Sequence, residues 1–449
     1  MTELLGVLLI LYFGFQFSIL FLGKKLSLLG GVSLGFPVGM GLFTYLLFIL
    51  NTNFNFNLTL LNCFRLLVFL SVSLTALNYF FKNLTFTRFK LKAKFKKIST
   101  IDYLLIFFIV FVSFSVILIN WYWPVRDWDA LTLYDFRAQR ILENLHIGPG
   151  LGPEYYFSYP LMTSLSHFWM YLIGFESPMI FYSLFFISYV IGFYSLLRKN
   201  VTITTSLLFT FICIVQTQFF RIALLSYPNF PYLFFLSFGV IFLFLGLRLK
   251  SANILVFSSI LVALSSWTRN VEPFWLIMIV LAVLASIYIK KYFVSILYGF
   301  IIYGTREVWN LFVKSKYNLS IRGVGESVDA LVKNVSWERW SEVIIFLWKT
   351  VISQNLILII ILGIITIAFV RTLEKNYATL LVLIFIWGSI ALLFLGTYVL
   401  SFELQSWVEI GDSANRMFTF VSPLIIYSTA LFLQKFLLES GLDVKSKTR

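Results

Sequence analysis

The run Ile101 to Asn120, IDYLLIFFIVFVSFSVILIN, passes without a break into Trp121 to Asn144, WYWPVRDWDALTLYDFRAQRILEN. The first half is an apolar stretch of about 20 residues, the length an α-helix needs to cross a bilayer core of about 30 Å. The second half holds the densest group of carboxylates and guanidiniums in the chain: Arg126, Asp127, Asp129, Asp135, Arg137, Arg140 and Glu143. Charge beside a hydrocarbon layer is costly, so it marks a position that is used. On a helical wheel started at Asp129, Leu131, Tyr134, Ala138, Ile141, Leu142 and Leu145 form one stripe, while Asp129, Thr132, Gln139, Arg140 and Glu143 lie opposite. This pattern predicts a helix lying in the membrane interface with its polar face to water. Trp121, Tyr122, Trp123 and Trp128 mark headgroup depth just before it.

The rest of the chain is of the same kind. Its 449 residues are 60% hydrophobic, 19% aromatic and only 12% charged. Repeated apolar runs of this sort must be helices, because lipid offers no partner to a backbone N–H or C=O. The expected fold is an all-α polytopic transmembrane bundle. Spans are expected at 4–22, 32–50, 60–81, 101–120, 178–197, 201–219, 231–247, 252–267, 273–289, 292–304, 354–370, 377–399 and 415–437, about thirteen in all. Residues 1–98 read as N-terminal helices and a basic loop, 99–440 as the transmembrane catalytic unit and 441–449 as a cytoplasmic tail.

Lys and Arg number 35 against 20 acids, a balance of +15. The excess sits between apolar runs, which fits cytoplasmic loops and anionic membrane lipids as partners and disfavours nucleic acid. Cys63 and Cys213 lie in separate apolar runs and indicate neither a disulfide framework nor a thiolate metal site. His146 and His167 form no metal-binding cluster. Residues 4–22 lack a cleavage site and read as a retained helix.

Orientation follows from the lysines. The loop from Lys82 to Lys97 carries Lys82, Arg88, Lys90, Lys92, Lys94, Lys96 and Lys97, and belongs in the cytoplasm by the positive-inside rule. The next span then places 121–144 on the extracytoplasmic face of a multi-pass protein of the cell membrane. The segment 160–174 offers only about 15 apolar residues and is read as a shallow or re-entrant helix. That choice keeps Arg198–Lys199, Arg248–Lys250, Lys290–Lys291, Arg371–Lys375 and Lys445–Arg449 inside. Outer loops at 121–177, 220–230, 268–272, 305–353 and 400–414 then collect Arg221, Arg269 with Glu272, Arg306 with Glu307, and Glu403, Glu409 and Asp412 followed by Arg416. The polar stretch 305–340, with Gly323 and Gly325, reads as a loop able to cover a site.

A pair of acids at headgroup depth suits one chemistry in particular. A sugar on a lipid phosphate carries its phosphate at that depth and its sugar in the water above. Transfer to an acceptor hydroxyl needs a carboxylate to take the proton or to hold a divalent cation such as Mg²⁺ or Mn²⁺. It also needs guanidiniums to steady the leaving phosphate. Asp129, with Asp127 beside it, supplies the first; Arg269, Arg306 and Arg416 are candidates for the second, with Arg137, Glu272 and Tyr159 as further substrate-binding candidates.

These residues also carry a resemblance. Arg126-Asp127-Trp128-Asp129-Ala130-Leu131, continuing as Tyr134-Asp135-Phe136-Arg137-Ala138, resembles the first outer loop of the GT-C superfamily of integral-membrane glycosyltransferases, in the manner of protein O-mannosyltransferases and the lipid A aminoarabinose transferase. Tyr159-Pro160-Leu161, Ser226-Tyr227-Pro228-Asn229-Phe230-Pro231, Thr268-Arg269-Asn270-Val271-Glu272 and Asn415-Arg416-Met417 with Pro423 agree with it in order. The likeness covers roughly residues 100–437, with the earlier helices an addition. It implies a GT-C bundle, a polyprenyl-phosphate-linked sugar donor, a glycan, lipid or protein acceptor, and a catalytic Asp in the first loop, placed on Asp129 first and Asp127 second. Many members carry an adjacent Asp-Glu pair where this chain has Asp129-Ala130, which leaves open which acid is the base and whether a metal is used.

Plainer roles compete for the same residues. Asp129 suits a helix N-cap, Arg269 and Glu272 a surface pair, Arg416 a snorkelling cation, and the Trp/Tyr group a membrane belt rather than a sugar platform. His167 is expected to be a packed residue. A different class, a carrier or flippase of lipid-linked sugar, uses the same charges without making a bond.

Overall fold

The computed structural model describes residues 1–81, 99–148, 151, 159–319, 335–372, 377–403 and 407–439, and the side chains of Lys24, Glu272, Thr372, Glu403, Glu409, Leu438 and Glu439 are not among what it describes. Several expectations fall on the remaining residues: the basic loop 82–97, most of 148–158, the glycines of the covering loop, Lys375 and the 445–449 tail.

Among the described residues the chain is all-helical. The helices are α1 (Thr2–Leu22), α2 (Leu28–Phe54), α3 (Leu60–Phe80), α4 (Thr100–Tyr122), α5 (Phe136–Asn144), α6 (Met162–Leu172), α7 (Ile180–Leu197), α8 (Ile203–Ile214), α9 (Thr217–Leu224), α10 (Asn229–Arg248), α11 (Ala252–Thr268), α12 (Glu272–Tyr288), α13 (Phe293–Tyr317), α14 (Trp337–Leu347), α15 (Leu356–Thr372), α16 (Tyr377–Glu403), α17 (Trp407–Thr419) and α18 (Ser422–Glu439). Among the described residues nine helical runs are long and apolar enough to cross a membrane, ten if α8 and α9, bent by 66° at their junction, count as one. That is fewer than the expected thirteen. Of the other expected spans, α11 and Pro273–Tyr288 are shorter apolar helices, and α13 alternates apolar with charged residues toward its end. The 11-residue α6 rises only about 16 Å, too little to cross.

Packing begins with α1 against α2. On α2, Gly31, Gly35 and Gly39 recur every fourth residue and so share a face. A Cβ on Gly14 of α1 would stand 2.0 Å from the Gly35 carbonyl oxygen, so the two backbones touch with no room for a side chain. In addition, α2 packs on α6, α7 and α11 and shares one hydrophobic core with the later helices. At the centre, α10 is buried along its whole apolar length. By contrast α3 and α4 present most of their Phe, Leu and Val side chains outward, as lipid-facing helices do.

Hydrogen bonds sort the turns to two ends. At one, Lys25 bonds Ser251, Lys199 bonds the Lys25 carbonyl and Arg248 bonds Asn200. At the other, Asp127 meets Ser226, Leu58 N–H meets the Leu145 carbonyl, the Tyr317 hydroxyl donates to Gly148 and Arg221 meets Asp412. The acidic segment therefore lies at the opposite end from these basic turns.

Two local expectations need correction. The stretch 305–353 is not a loop where it is described: α13 continues through Arg306 to Tyr317, and α14 runs through a π turn, Trp348–Ile352, toward α15. Trp309 and Val313 are buried on one face of the α13 extension, which keeps it helical past its apolar half. The stripe on the acidic helix is also different. Ala130–Asp135 forms a π turn, so the phase slips: Leu131 is exposed, while Leu133, Asp135 and Arg137 turn inward beside Tyr134, Ala138 and Ile141.

Candidate functional site at the acidic end

Pro124 ends the apolar run and Trp128 starts the next helical turn, which sets Asp127 and Asp129 at the mouth of the π turn. Asp127 is half-buried, and its Oδ2 accepts from both the backbone N–H and the hydroxyl of Ser226 at 3.0 Å. This carboxylate thereby fastens the loop between α9 and α10 to the acidic segment. Asp129 is exposed and makes no side-chain capping bond to the turn it precedes, so the N-cap role is not the one it fills.

Tyr227, next to Ser226, is where the elements meet. The Arg416 guanidinium of α17 lies over its ring at 5.8 Å, and the Tyr134 ring lies 6.4 Å from it. Tyr159 packs edge-on to Tyr134 at 5.9 Å. Burial, with Asp129 and Asp127 adding to it, pushes the Tyr227 hydroxyl up to about 12, against the pull of Arg416 and a backbone bond at Asp129. The phenol is therefore neutral at physiological pH and available as a donor.

The arginines approach from other helices. Arg416 bonds Asp412 one turn earlier at 3.0 Å, and Asp412 also takes Arg221 of α9 at 3.1 Å. Arg269, at the end of α11, donates to the Asn229 side-chain oxygen. The Asn229 amide nitrogen is buried and has no hydrogen-bond partner among the described residues. Arg269 acts electrostatically on both Tyr134 and Arg416, which puts two guanidiniums within range of each other. Like charges brought together in this way favour an anion between them.

Arg306 lies one step away. It bonds Asn270 and Glu307 at 3.4 Å each and lies over Trp275 at 5.5 Å. Glu272 opens α12 next to Pro273, its side chain outside the described residues. Arg137 is fully buried; its Nε donates to the Leu151 carbonyl and its Nη1 to that of Tyr159, at 2.9 and 3.0 Å. It holds Tyr159 in place from beneath. The aromatic group Trp121, Tyr122, Trp123 and Trp128 is exposed, with Arg126 over Trp123 at 5.2 Å.

His167 is packed, as expected, but not among apolar atoms alone. Its Nδ1 lies 3.1 Å from Asp135 and its Nε2 2.9 Å from the Tyr182 hydroxyl, while Tyr171 donates to the same Asp135 oxygen at 2.9 Å. Sequence reading missed this pairing, since 32 residues separate Asp135 from His167 and nothing in the periodicity links them. It missed Tyr134 and Asn229 too. The i, i+4 spacing of Asp412 and Arg416 was the one available signal for their ion pair.

No three His, Cys, Asp or Glu side chains gather into a metal-sized group among the described residues. Asp412 is the acid paired with Arg416, while Asp127 and Asp129 reach the group through Tyr227, and one oxygen of Asp127 is already committed to Ser226. The arrangement can bind an anionic group between Arg269 and Arg416 and offer it an exposed carboxylate and phenol hydroxyls. Comparison with known proteins adds no relative: no family model, curated protein or solved structure matches the chain.

Proposed function

We propose that this chain is a GT-C-type membrane glycosyltransferase that moves a sugar from a polyprenyl-phosphate donor to an extracytoplasmic acceptor. The observation that carries the reading is the meeting at Tyr227 of acids from the first loop with Arg416 from the last helices. In this reading Arg416 and Arg269 hold the donor phosphate and neutralise the charge that grows on it as the glycosidic bond breaks. Asp129, free of a capping bond, takes the acceptor proton. Asp127 keeps the Ser226–Tyr227 loop in register, and the acidic helix lies at the outer interface with Trp121, Tyr122, Trp123 and Trp128 in the headgroups. A divalent cation, if the reaction uses one, has Asp129 as its first available ligand.

The test is direct. Purified protein in nanodiscs is given a labelled polyprenyl-phosphate sugar and a crude envelope acceptor fraction. The expected result is a labelled acceptor, lost with Asp129→Asn. Movement of the label across vesicles without a new bond, equally in wild type and Asp129→Asn, would make the protein a carrier of lipid-linked sugar.

A further inference from the structure

Beneath the site lies a buried polar layer that the proposed transfer does not use. Both ring nitrogens of the fully enclosed His167 are engaged, Nδ1 by Asp135 and Nε2 by Tyr182 of α7. Asp135 closes the π turn that opens immediately after Asp129. A carboxylate can only accept, so Nδ1 carries the proton shared with Asp135. Any member left unbonded in such an interior carries its full desolvation penalty. Apolar residues of similar shape would join α5 to α6 without that risk.

What the layer achieves is geometric. Within the π turn, successive residues point to different neighbours: Tyr134 toward Tyr159 and Tyr227, Asp135 toward His167 and Tyr171. π turns are rare and recur at functional sites, where they aim a side chain that a regular helix cannot.

We infer that His167 is a positioning residue: by gripping Asp135 from α6 it pins the π turn, and so holds Asp129 and Tyr134 against Tyr227. The kinetic half of its test rests on the transferase reading; the structural half does not.

Two substitutions split the histidine's bonds. His167→Asn keeps a donor where Nδ1 stands and so keeps the Asp135 bond. His167→Gln reaches where Nε2 stands, keeping Tyr182 and releasing Asp135. A merely structural histidine loses equally by both. In full-length protein in nanodiscs, H167N is expected to turn over within about threefold of wild type. H167Q should lose kcat on the order of 100-fold with KM little changed.

The geometry is read separately by spin labels on L131C and V408C, both exposed positions, using electron–electron distance measurement. Wild type, H167N and Tyr182→Phe should give one narrow distance distribution, and H167Q a broad one. If H167Q does not fold, H167N and Y182F still decide: broadening in either overturns the proposal. So do equal losses in H167N and H167Q, or an H167Q that stays narrow and fully active. A broadened H167Q alongside a wild type that transfers no sugar sinks the transferase reading and leaves the positioning role standing.

Discussion

The Asp127 carboxylate is held by Ser226 twice, through the backbone N–H and through the hydroxyl, with a single oxygen accepting both. An acid so engaged is a fastener before it is a base. Asp127→Asn keeps an acceptor oxygen in place and should cost about 1 kcal/mol, roughly fivefold in transfer rate. Asp127→Ala frees the loop and should cost far more. Asp129→Asn, at the exposed acid, should lose 100-fold or more. Initial rates with labelled polyprenyl-phosphate sugar separate the two; a larger loss in D127N than in D129N would exchange their roles.

Arg416 is half-buried, over Tyr227 and paired with Asp412. A lysine there keeps the charge and loses the planar fork that matches a phosphate. Arg416→Lys is therefore expected to lower kcat/KM on the order of tenfold to 100-fold, and Arg416→Ala further still. Arg221→Ala removes only the exposed partner of Asp412 and should change it by about threefold or less. Equal effects at Arg221 and Arg416 would argue that the ion pair is only a surface network.

The α1–α2 seam makes a prediction independent of function. A methyl group on Gly14 collides with the Gly35 carbonyl and the Gly39 backbone, neither of which can move aside alone. Gly14→Ala should destabilise by about 3 kcal/mol or more and lower the melting temperature in detergent. Gly363→Ala, where nothing stands within 4 Å, is the control and should leave melting unchanged. A Gly14→Ala protein that melts with wild type would mean the helices pack differently.

Sidedness can be read with thiols. The two native cysteines are buried and so give a quiet background. In intact cells, Leu131→Cys at the acidic end should react with an impermeant maleimide, while Lys250→Cys at the basic end should react only after permeabilisation. The opposite pattern would put the site in the cytoplasm and end the proposal of an extracytoplasmic acceptor.

Much of this architecture is legible in the sequence because lipid enforces one rule everywhere: apolar runs such as Thr100–Tyr122 have to be helices. What is not legible depends on phase and on distance. The wheel from Asp129 puts Leu131 on the apolar stripe and leaves Leu133 off it, but the π turn, which no composition rule announces, exposes the first and buries the second. Arg306 looks like a loop residue until Trp309 and Val313 are seen packed below it on the same helix. The shared end of the acids and arginines follows from counting basic turns, whereas Asp135 with His167, or Arg269 with Asn229, are tertiary pairs without a local signal.

Acid stability offers a check on the buried layer. Burial alone would raise the Asp135 carboxyl, but hydrogen bonds from His167, Tyr171 and Gln139, with the His167 charge, outweigh it and hold the group below its usual range. A depressed carboxylate stabilises the folded state fully above its unfolded value of about 3.9, and that contribution fades as pH falls through the lower folded value. Wild type should thus melt above Asp135→Asn at pH 7, and the gap should narrow below about pH 4 as Asp135 takes up its proton. Melting curves in detergent from pH 7 to pH 3 measure this. A gap that stays constant across the range would show that Asp135 is not ionised in the folded protein, and that His167 grips a neutral acid.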